Sequence, residues 1–353
     1  MASLKSIVNA LKFRLKPLPF HNSYFPEKPH KSKFRQRLEL LGTFLKYGEI
    51  EQYYYMYGFD CADKDRSEYI DYHSFRKLRD YLNQRRPYNY ICFLRDKKLF
   101  SFYALANGIP AVGTLGVIRE GKLESSESGD ILALCDRYRH LFCKPSDDMC
   151  GNGVFRLDLS EEGYLLNDKP SSAEEIDSFV SSLKGEFLIQ KRIVQHPEIS
   201  RIYPKAINTL RIVTVNKNSS SDPDDVVVLS SMLRVGAFGN IMDNWSKGGL
   251  IIKIEEDGSL ADYGFHKPAF GTRADKHPDT GFVFSGTKIP YFKEAVAMAK
   301  KYHSVLNHVH SIGWDISINE DGPIFIEGND NWELGIVQIC EGGIRAQVES
   351  LFK

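Results

Sequence analysis

Asp315, Glu327 and Asn329 have the side-chain chemistry and the spacing to hold a hard divalent cation. Asp315 sits in an apolar, strand-like run, and Asn319-Glu320-Asp321-Gly322 reads as a turn that folds the chain back through Ile324-Phe325-Ile326. In such a hairpin Asp315 faces Glu327 across the ladder, while Glu327 and Asn329, two residues apart, project from one face. Three oxygen-bearing side chains then converge. Magnesium on nucleotide phosphates takes part of its coordination from such oxygens and the rest from phosphate and water. Taken alone, a surface hairpin with ordinary acidic residues reads the same way.

Other residues match that chemistry. Lys144 follows the apolar run Leu141-Phe142-Cys143 and opens a polar loop that holds Gly151 and Gly153, so its ammonium and a pliable backbone can meet one anion; a plain hairpin loop reads equally. Arg211 and Arg234 interrupt apolar strands, where a guanidinium needs a carboxylate or phosphate partner. Structural ion pairing is one reading, and charge stabilisation of a transferring phosphoryl group the other. Asp243-Asn244-Trp245-Ser246-Lys247-Gly248-Gly249 is a polar turn in which Asn244 can donate to phosphate or carboxylate oxygens and the paired glycines permit close backbone approach. His277, in His277-Pro278-Asp279-Thr280-Gly281, is a candidate contact to an acceptor substrate or an inert loop histidine. The spacing of His303, His308 and His310 does not put all three on one helical face, so they read as structural.

The elements that must position these residues are mixed α/β. Helical spacing recurs at Leu4, Ile7, Val8 and Leu11, then around 34–48 and 75–82. Further helices are expected at 99–106, ending at Gly108, at 173–183 and at 291–309. Strands are expected at 141–145, 154–157, 186–190, 210–216, 226–235, 249–255, 316–318 and 323–327, with 217–225 an exposed turn. The organisation reads as a mainly helical basic region (1–92) followed by two α/β lobes (93–205 and 206–353). Lys plus Arg equals Asp plus Glu at 46 each, which argues against a nucleic-acid partner, although the first fifty residues carry ten Lys or Arg against three Glu. The basic stretch 4–15 fits an anionic membrane surface or a protein partner as well as packing on its own domain. With no membrane-length apolar run, no secretion signal and six scattered cysteines, the chain reads as cytoplasmic with reduced thiols, or peripheral to the inner face of the membrane.

Taken together these segments resemble the ATP-grasp superfamily, and over roughly residues 95–340 its sugar-transfer-associated branch. The carrying residues are Asp96-Lys97-Lys98-Leu99-Phe100, Gly108-Ile109-Pro110, Lys144-Pro145, Gln195-His196-Pro197-Glu198, Asn208 to Thr214, Arg234 through Asp243-Asn244 to Gly248-Gly249, His277 to Gly281, Gly313-Trp314-Asp315 and Glu327-Gly328-Asn329. The resemblance implies two α/β lobes gripping ATP. By it, Lys97 and Lys144 bind the α- and β-phosphates, Gln190, Lys191 and Ile193 belong to the adenine hinge, and Glu198 touches the ribose. Arg211 and Arg234 face the γ-phosphate, and Asp315, Glu327 and Asn329 hold Mg²⁺. Relatives often carry an acidic residue at or beside the hinge where this chain has Lys191, which leaves adenine to backbone groups. The implied reaction is ATP-dependent amide formation between a carboxylate and an amine, here a sugar acid or sugar amine and an amino acid in capsular or exopolysaccharide synthesis. Phosphoryl transfer from the same site, or a nucleotide-binding partner of a glycosyltransferase without turnover, are the competing readings.

Overall fold

The structure, a computed structural model, describes residues 22–47, 51–85, 88–124, 129–146 and 153–352. The expected basic helix at 4–15, and Gly151, lie outside these residues. The described chain opens with helices α1 (Lys33–Tyr47) and α2 (Tyr72–Gln84), then α3 (Cys92–Arg95) and α4 (Lys97–Ala106). Asp96 starts α4 at that point because its carboxylate accepts from the N–H groups of Lys98 and Leu99, donors a helix cannot satisfy internally.

Seven strands form a first antiparallel sheet: β1 (Thr114–Arg119), β2 (Lys122–Glu124), β3 (His140–Pro145), β4 (Phe155–Ser160), β5 (Gly163–Leu166), β6 (Lys169–Pro170) and β7 (Glu186–Lys191), in the order β2-β1-β7-β3-β4-β5-β6. Helices α5 (Ile131–Tyr138) and α6 (Ala173–Ser182) cover it. Ile131, Leu134, Ile176 and Val180 from these helices share one core with Ile118, Leu141, Phe155 and Ile189 of the sheet. A reciprocal cap, Ser172 to the Glu175 N–H and Glu175 back to the Ser172 N–H, fixes where α6 begins.

After the short α7 (Pro197–Ser200) comes a second seven-stranded antiparallel sheet, β8 (Thr209–Val215), β9 (Val227–Val235), β10 (Leu250–Ile254), β11 (Leu260–Phe265), β12 (Arg273–Ala274), β13 (Ser311–Asn319) and β14 (Gly322–Asn329). Its order is β12-β11-β10-β9-β8-β13-β14. Helix α8 (Phe292–Val305) lies between β12 and β13 in sequence, and α9 (Leu334–Glu341) and α10 (Arg345–Leu351) close the chain.

Alternation along β8 divides the two faces of this sheet. Leu210 and Ile212 point into a core with Ala299 and Tyr302 of α8, Trp314, Phe325, and Leu94 and Phe100 of α3 and α4. Val213 and Val215 point the other way, into an aromatic core built from Tyr53, Tyr54, Tyr55, Tyr57, Phe59, Phe75 and Trp332. The described residues between 22 and 85 therefore share a core with the second sheet, and the run 92–106, expected mostly in the first lobe (93–205), packs beneath that sheet as well. The approach is close: a Cβ on Gly335 of α9 would sit 2.1 Å from the Tyr53 ring.

Candidate active site

The face of the second sheet that carries Val213 and Val215 turns polar at its other end. Thr209 and Arg211 precede Val213 at two-residue steps, so all three share that face. The ladders place Arg234 opposite Thr209, Asp315 opposite Arg211, Glu327 opposite Asp315, and Asn329 opposite Gly313. Four neighbouring strands thus deliver two guanidiniums, two carboxylates and an amide to one patch.

Arg211 forms a fork on Asp315, Nε to Oδ1 at 2.6 Å and Nη2 to Oδ2 at 2.8 Å. Arg234 donates from Nη1 to the same Oδ2 at 2.9 Å and from Nη2 to Asp243 Oδ1 at 3.2 Å. Asp243 is anchored in turn by the N–H of Thr209 at 3.2 Å and by its hydroxyl. Asn329 Nδ2 reaches Glu327 Oε1 and the Gly313 carbonyl, each at 3.4 Å.

Burial pushes the Asp315 carboxyl up, but Arg211 and then Arg234 outweigh it and hold it well below the usual carboxylate range. Glu327 goes the other way, raised by burial and then by the charge of Asp315. Two facing carboxylates of opposite tendency are what a divalent cation reconciles. With the Asn329 amide they form a hard oxygen donor set that fits magnesium.

Lys144, at the end of β3, brings the first sheet to this patch. Burial lowers its pKa to about 8, opposed by the nearby Glu327 carboxylate and reinforced by the Lys97 ammonium. Among the described residues no hydrogen bond takes up its Nζ. Lys97 stands in the first turn of α4 and donates to the Pro145 carbonyl at 3.2 Å, and Lys98 binds Glu186 of β7 at 2.6 Å. A cleft of about 480 Å³ opens there, lined by Arg95, Lys97, Lys98 and Ser146. A larger one, about 690 Å³ between α1, α2 and α10, touches none of the charged array.

The remaining expected residues separate. Gln190 is buried in β7 and donates to the Val112 carbonyl at 3.2 Å, so its side chain serves the fold; Lys191 is exposed and Ile193 half-buried. Glu198, expected at the ribose, is exposed and pairs with Arg201 at 3.0 Å. The expectation for His277 is corrected. It is 1% exposed, stacks on Tyr203, bonds the Gly236 carbonyl through Nε2 at 2.7 Å and accepts the Asp279 N–H at Nδ1. Its ring nitrogens are spent on bracing the end of β9, which leaves nothing to offer a substrate. Asp243 likewise holds Arg234 instead of presenting a free carboxylate. Gly248 and Gly249 serve the turn, because a Cβ would meet Phe238 at 2.8 Å in the first case and the Val235 carbonyl at 2.7 Å in the second. Asn244 is half-buried, and its carbonyl accepts from Lys247 and Gly249. Gly153 has a positive φ of 75°. Thr209 and the forked pair of Arg95 with buried Asp330, 2.7 Å at its shorter contact, were not singled out from sequence; only Thr209's two-residue spacing from Arg211 pointed to it.

Residues 76–351 match the family model described as sugar-transfer associated ATP-grasp. The chain belongs to that family. The two antiparallel sheets are accordingly the lobes of an ATP-grasp fold, and the array lies on the second of them. No curated protein matches the sequence. Among solved structures, D-cycloserine synthetase DcsG is 16% identical, with 79% of this ATP-grasp chain and 80% of that chain covered at a TM-score of 0.42. The D-alanine–D-alanine ligase of Bacillus anthracis is 12% identical, covering 73% and 63% at 0.36, and the L-amino acid ligase of Bacillus licheniformis 14%, covering 74% and 48% at 0.39. The chain thus spans less than two thirds of those two ligases. At such identities and scores these likenesses carry no argument, and the assignment rests on the family match. No helix among the described residues is long and apolar enough to cross a membrane.

Proposed function

We propose that this ATP-grasp protein is an ATP- and magnesium-dependent carboxylate–amine ligase that joins a sugar acid or sugar amine to an amino acid in capsular or exopolysaccharide synthesis. The observation that carries the reading is Lys144: a half-buried lysine on the first sheet, with no hydrogen-bond partner among the described residues, whose ammonium is within electrostatic reach of Glu327 of the second. A cation so placed suits a phosphate chain lying between two lobes. Lys97, the first residue of α4, supplies the second ammonium.

Asp315, Glu327 and Asn329 would hold Mg²⁺, which when bound neutralises phosphate charge and orients the oxygens around the transferring group. The chain's own residues do the rest. Arg211 spends Nε and Nη2 on Asp315, and its Nη1 has no bond to a described residue, which leaves N–H donors for the γ-phosphate. Arg234, fixed between Asp315 and Asp243, keeps a second positive charge at the same patch. In the reaction a substrate carboxylate oxygen attacks the γ-phosphorus, the bond to ADP breaks, and an acyl phosphate forms. The amine nitrogen then attacks the acyl carbon, phosphate leaves, and the nitrogen loses a proton as the amide is made. Positioning and charge stabilisation suffice for both steps, so no protein nucleophile is required.

Purified protein with Mg·ATP is to be offered a panel of uronic acids and amino acids, with ADP release followed and products weighed by mass spectrometry. ADP release that needs both partners, with a product of amide mass, is expected. A phosphorylated acceptor without amide assigns the site to phosphoryl transfer, and no ADP release across the panel removes the ligase reading.

A further inference from the structure

Outside the charged array, the segment before α1 and the turn after the aromatic run pair as a short antiparallel ladder. Lys31 N–H donates to the Asp60 carbonyl and Ala62 N–H to the Pro29 carbonyl, both at 2.8 Å, which makes His30 and Cys61 the directly opposed pair between them. Pairs flanked in this way bring their side chains closest. Asp60, one residue earlier, turns its carboxylate to the same place, with Oδ2 3.2 Å from His30 Nδ1. One ligand atom from each of His30, Asp60 and Cys61 lies within 4.8 Å of the other two, the one such group among the described residues.

The second observation is electrostatic. Asp60 is 1% exposed, and its Oδ1 is buried with no hydrogen-bond partner. A buried carboxylate oxygen with nothing to accept is costly, and the carboxylate that carries it lies beside an imidazole and a thiol. The Lys28 ammonium pairs instead with Asp63, at 3.6 Å.

We propose that His30, Asp60 and Cys61 form a binding site for a divalent transition-metal ion, with Zn²⁺ the best match. One nitrogen, one oxygen and one sulfur donor suit zinc's tetrahedral preference. The His30–Asp60 separation is close to the edge of about 3.3 Å that bonds of about 2.0–2.1 Å impose. Solvent takes the fourth position on the exposed side of His30. The ion ties the strand leading into α1 to the turn that closes the aromatic core, a clip on the region that covers the functional face. This site is independent of the ligase reading.

The test is a Co²⁺ titration of the metal-free protein in millimolar Mg²⁺, which competes for hard oxygen donors. The expected result is one equivalent bound, with visible bands and a near-ultraviolet thiolate-to-cobalt band, all displaced by one equivalent of Zn²⁺. Cys61→Ser loses the thiolate band, Asp60→Asn and His30→Ala weaken binding at least tenfold, and Cys92→Ser binds like the parent. His30 is at the surface, so His30→Ala keeps the test decisive should a buried variant fail to fold. Zn²⁺ raises the thermal midpoint of the parent and not of His30→Ala. Absence of the thiolate band in the parent, its persistence in Cys61→Ser, or parental Co²⁺ affinity in His30→Ala overturns the site.

Discussion

Half-buried Lys144 and buried Asp315 are charges of opposite kind, and the array treats them oppositely. Asp315 is over-compensated: two guanidiniums outweigh the cost of burial, so it stays ionised throughout the ordinary pH range. Its contribution to stability is present above the unfolded carboxylate pKa and is lost only as pH falls below that value. Asp315→Asn leaves Arg211 without its fork, and removing one member of a buried ion pair costs about 3 kcal/mol. Urea unfolding will show that loss, and Mg·ATP turnover will fall below detection in the fraction that remains folded. Lys144 is under-compensated, and burial holds it to about 8. The ammonium is therefore partly deprotonated at pH 8.5, and a bound phosphate, which favours the charged form, draws a proton in. Calorimetry at pH 8.5 in buffers of differing ionisation enthalpy will report net proton uptake on nucleotide binding. Lys144→Met will abolish most of that uptake and weaken binding at least tenfold, whereas equal uptake in the variant would remove Lys144 from the phosphate site.

At the scale of the element, the hairpin of β13 and β14 decides whether two carboxylates meet. Counting back from the turn, Asn319 pairs with Gly322 and Ile316 with Phe325, which by plain alternation would set Asp315 against Ile326 and leave Glu327 on the core face with Phe325. The register shifts between Asp315 and Ile316, so an extra residue, Ile326, turns Glu327 to face Asp315. The sequence carried the pairing of oxygen-bearing residues but not the bulge that produces it, because nothing in Ile324-Phe325-Ile326 distinguishes a bulged strand from a regular one. That Arg211 and Arg234 need a carboxylate or phosphate partner was legible, since buried charge in an apolar strand demands one. The burial of His277 was not, since its partners Gly236 and Tyr203 lie far away along the chain. β1 was missed because Gly116 interrupts a short run. Gly313 belongs to this element too: a Cβ there would lie 2.7 Å from Trp332 Cβ and 3.4 Å from Arg211 Cδ. Gly313→Ala will cost about 1–3 kcal/mol through overpacking. It will also lower turnover at least tenfold by displacing Arg211, measured by urea unfolding and ADP release on the same preparation. Lost stability with full turnover would show that the strain relaxes toward Trp332 alone.

At the scale of the molecule, the question is why the described residues between 22 and 85 are bound so tightly to a sheet they do not belong to. Arg79 donates to the Trp332 carbonyl, and Asn83 is a four-way joint. Its Oδ1 accepts the N–H groups of His310 at 3.1 Å and Ser311 at 3.0 Å, while its Nδ2 donates to the carbonyls of Asp330 at 2.9 Å and Ser311 at 3.2 Å. One amide from α2 thus satisfies backbone at the start of β13 and just beyond the end of β14, the hairpin that carries Asp315, Glu327 and Asn329. Asn83 is 2% exposed, so water cannot replace those bonds when the side chain is cut back. Asn83→Ala strands several buried backbone groups at about 1–3 kcal/mol each, and a net loss of about 3 kcal/mol is a large share of the ~5–15 kcal/mol typical of a folded domain. The chain's three tryptophans, Trp245, Trp314 and Trp332, are all buried in or against the second sheet, so their fluorescence reports its unfolding directly. Asn83→Ala will move the urea midpoint of that signal downward with its slope unchanged, because helix, hairpin and aromatic core come apart together. An early separate transition that leaves the tryptophan midpoint in place would mean instead that the helices unfold from a sheet able to stand without them.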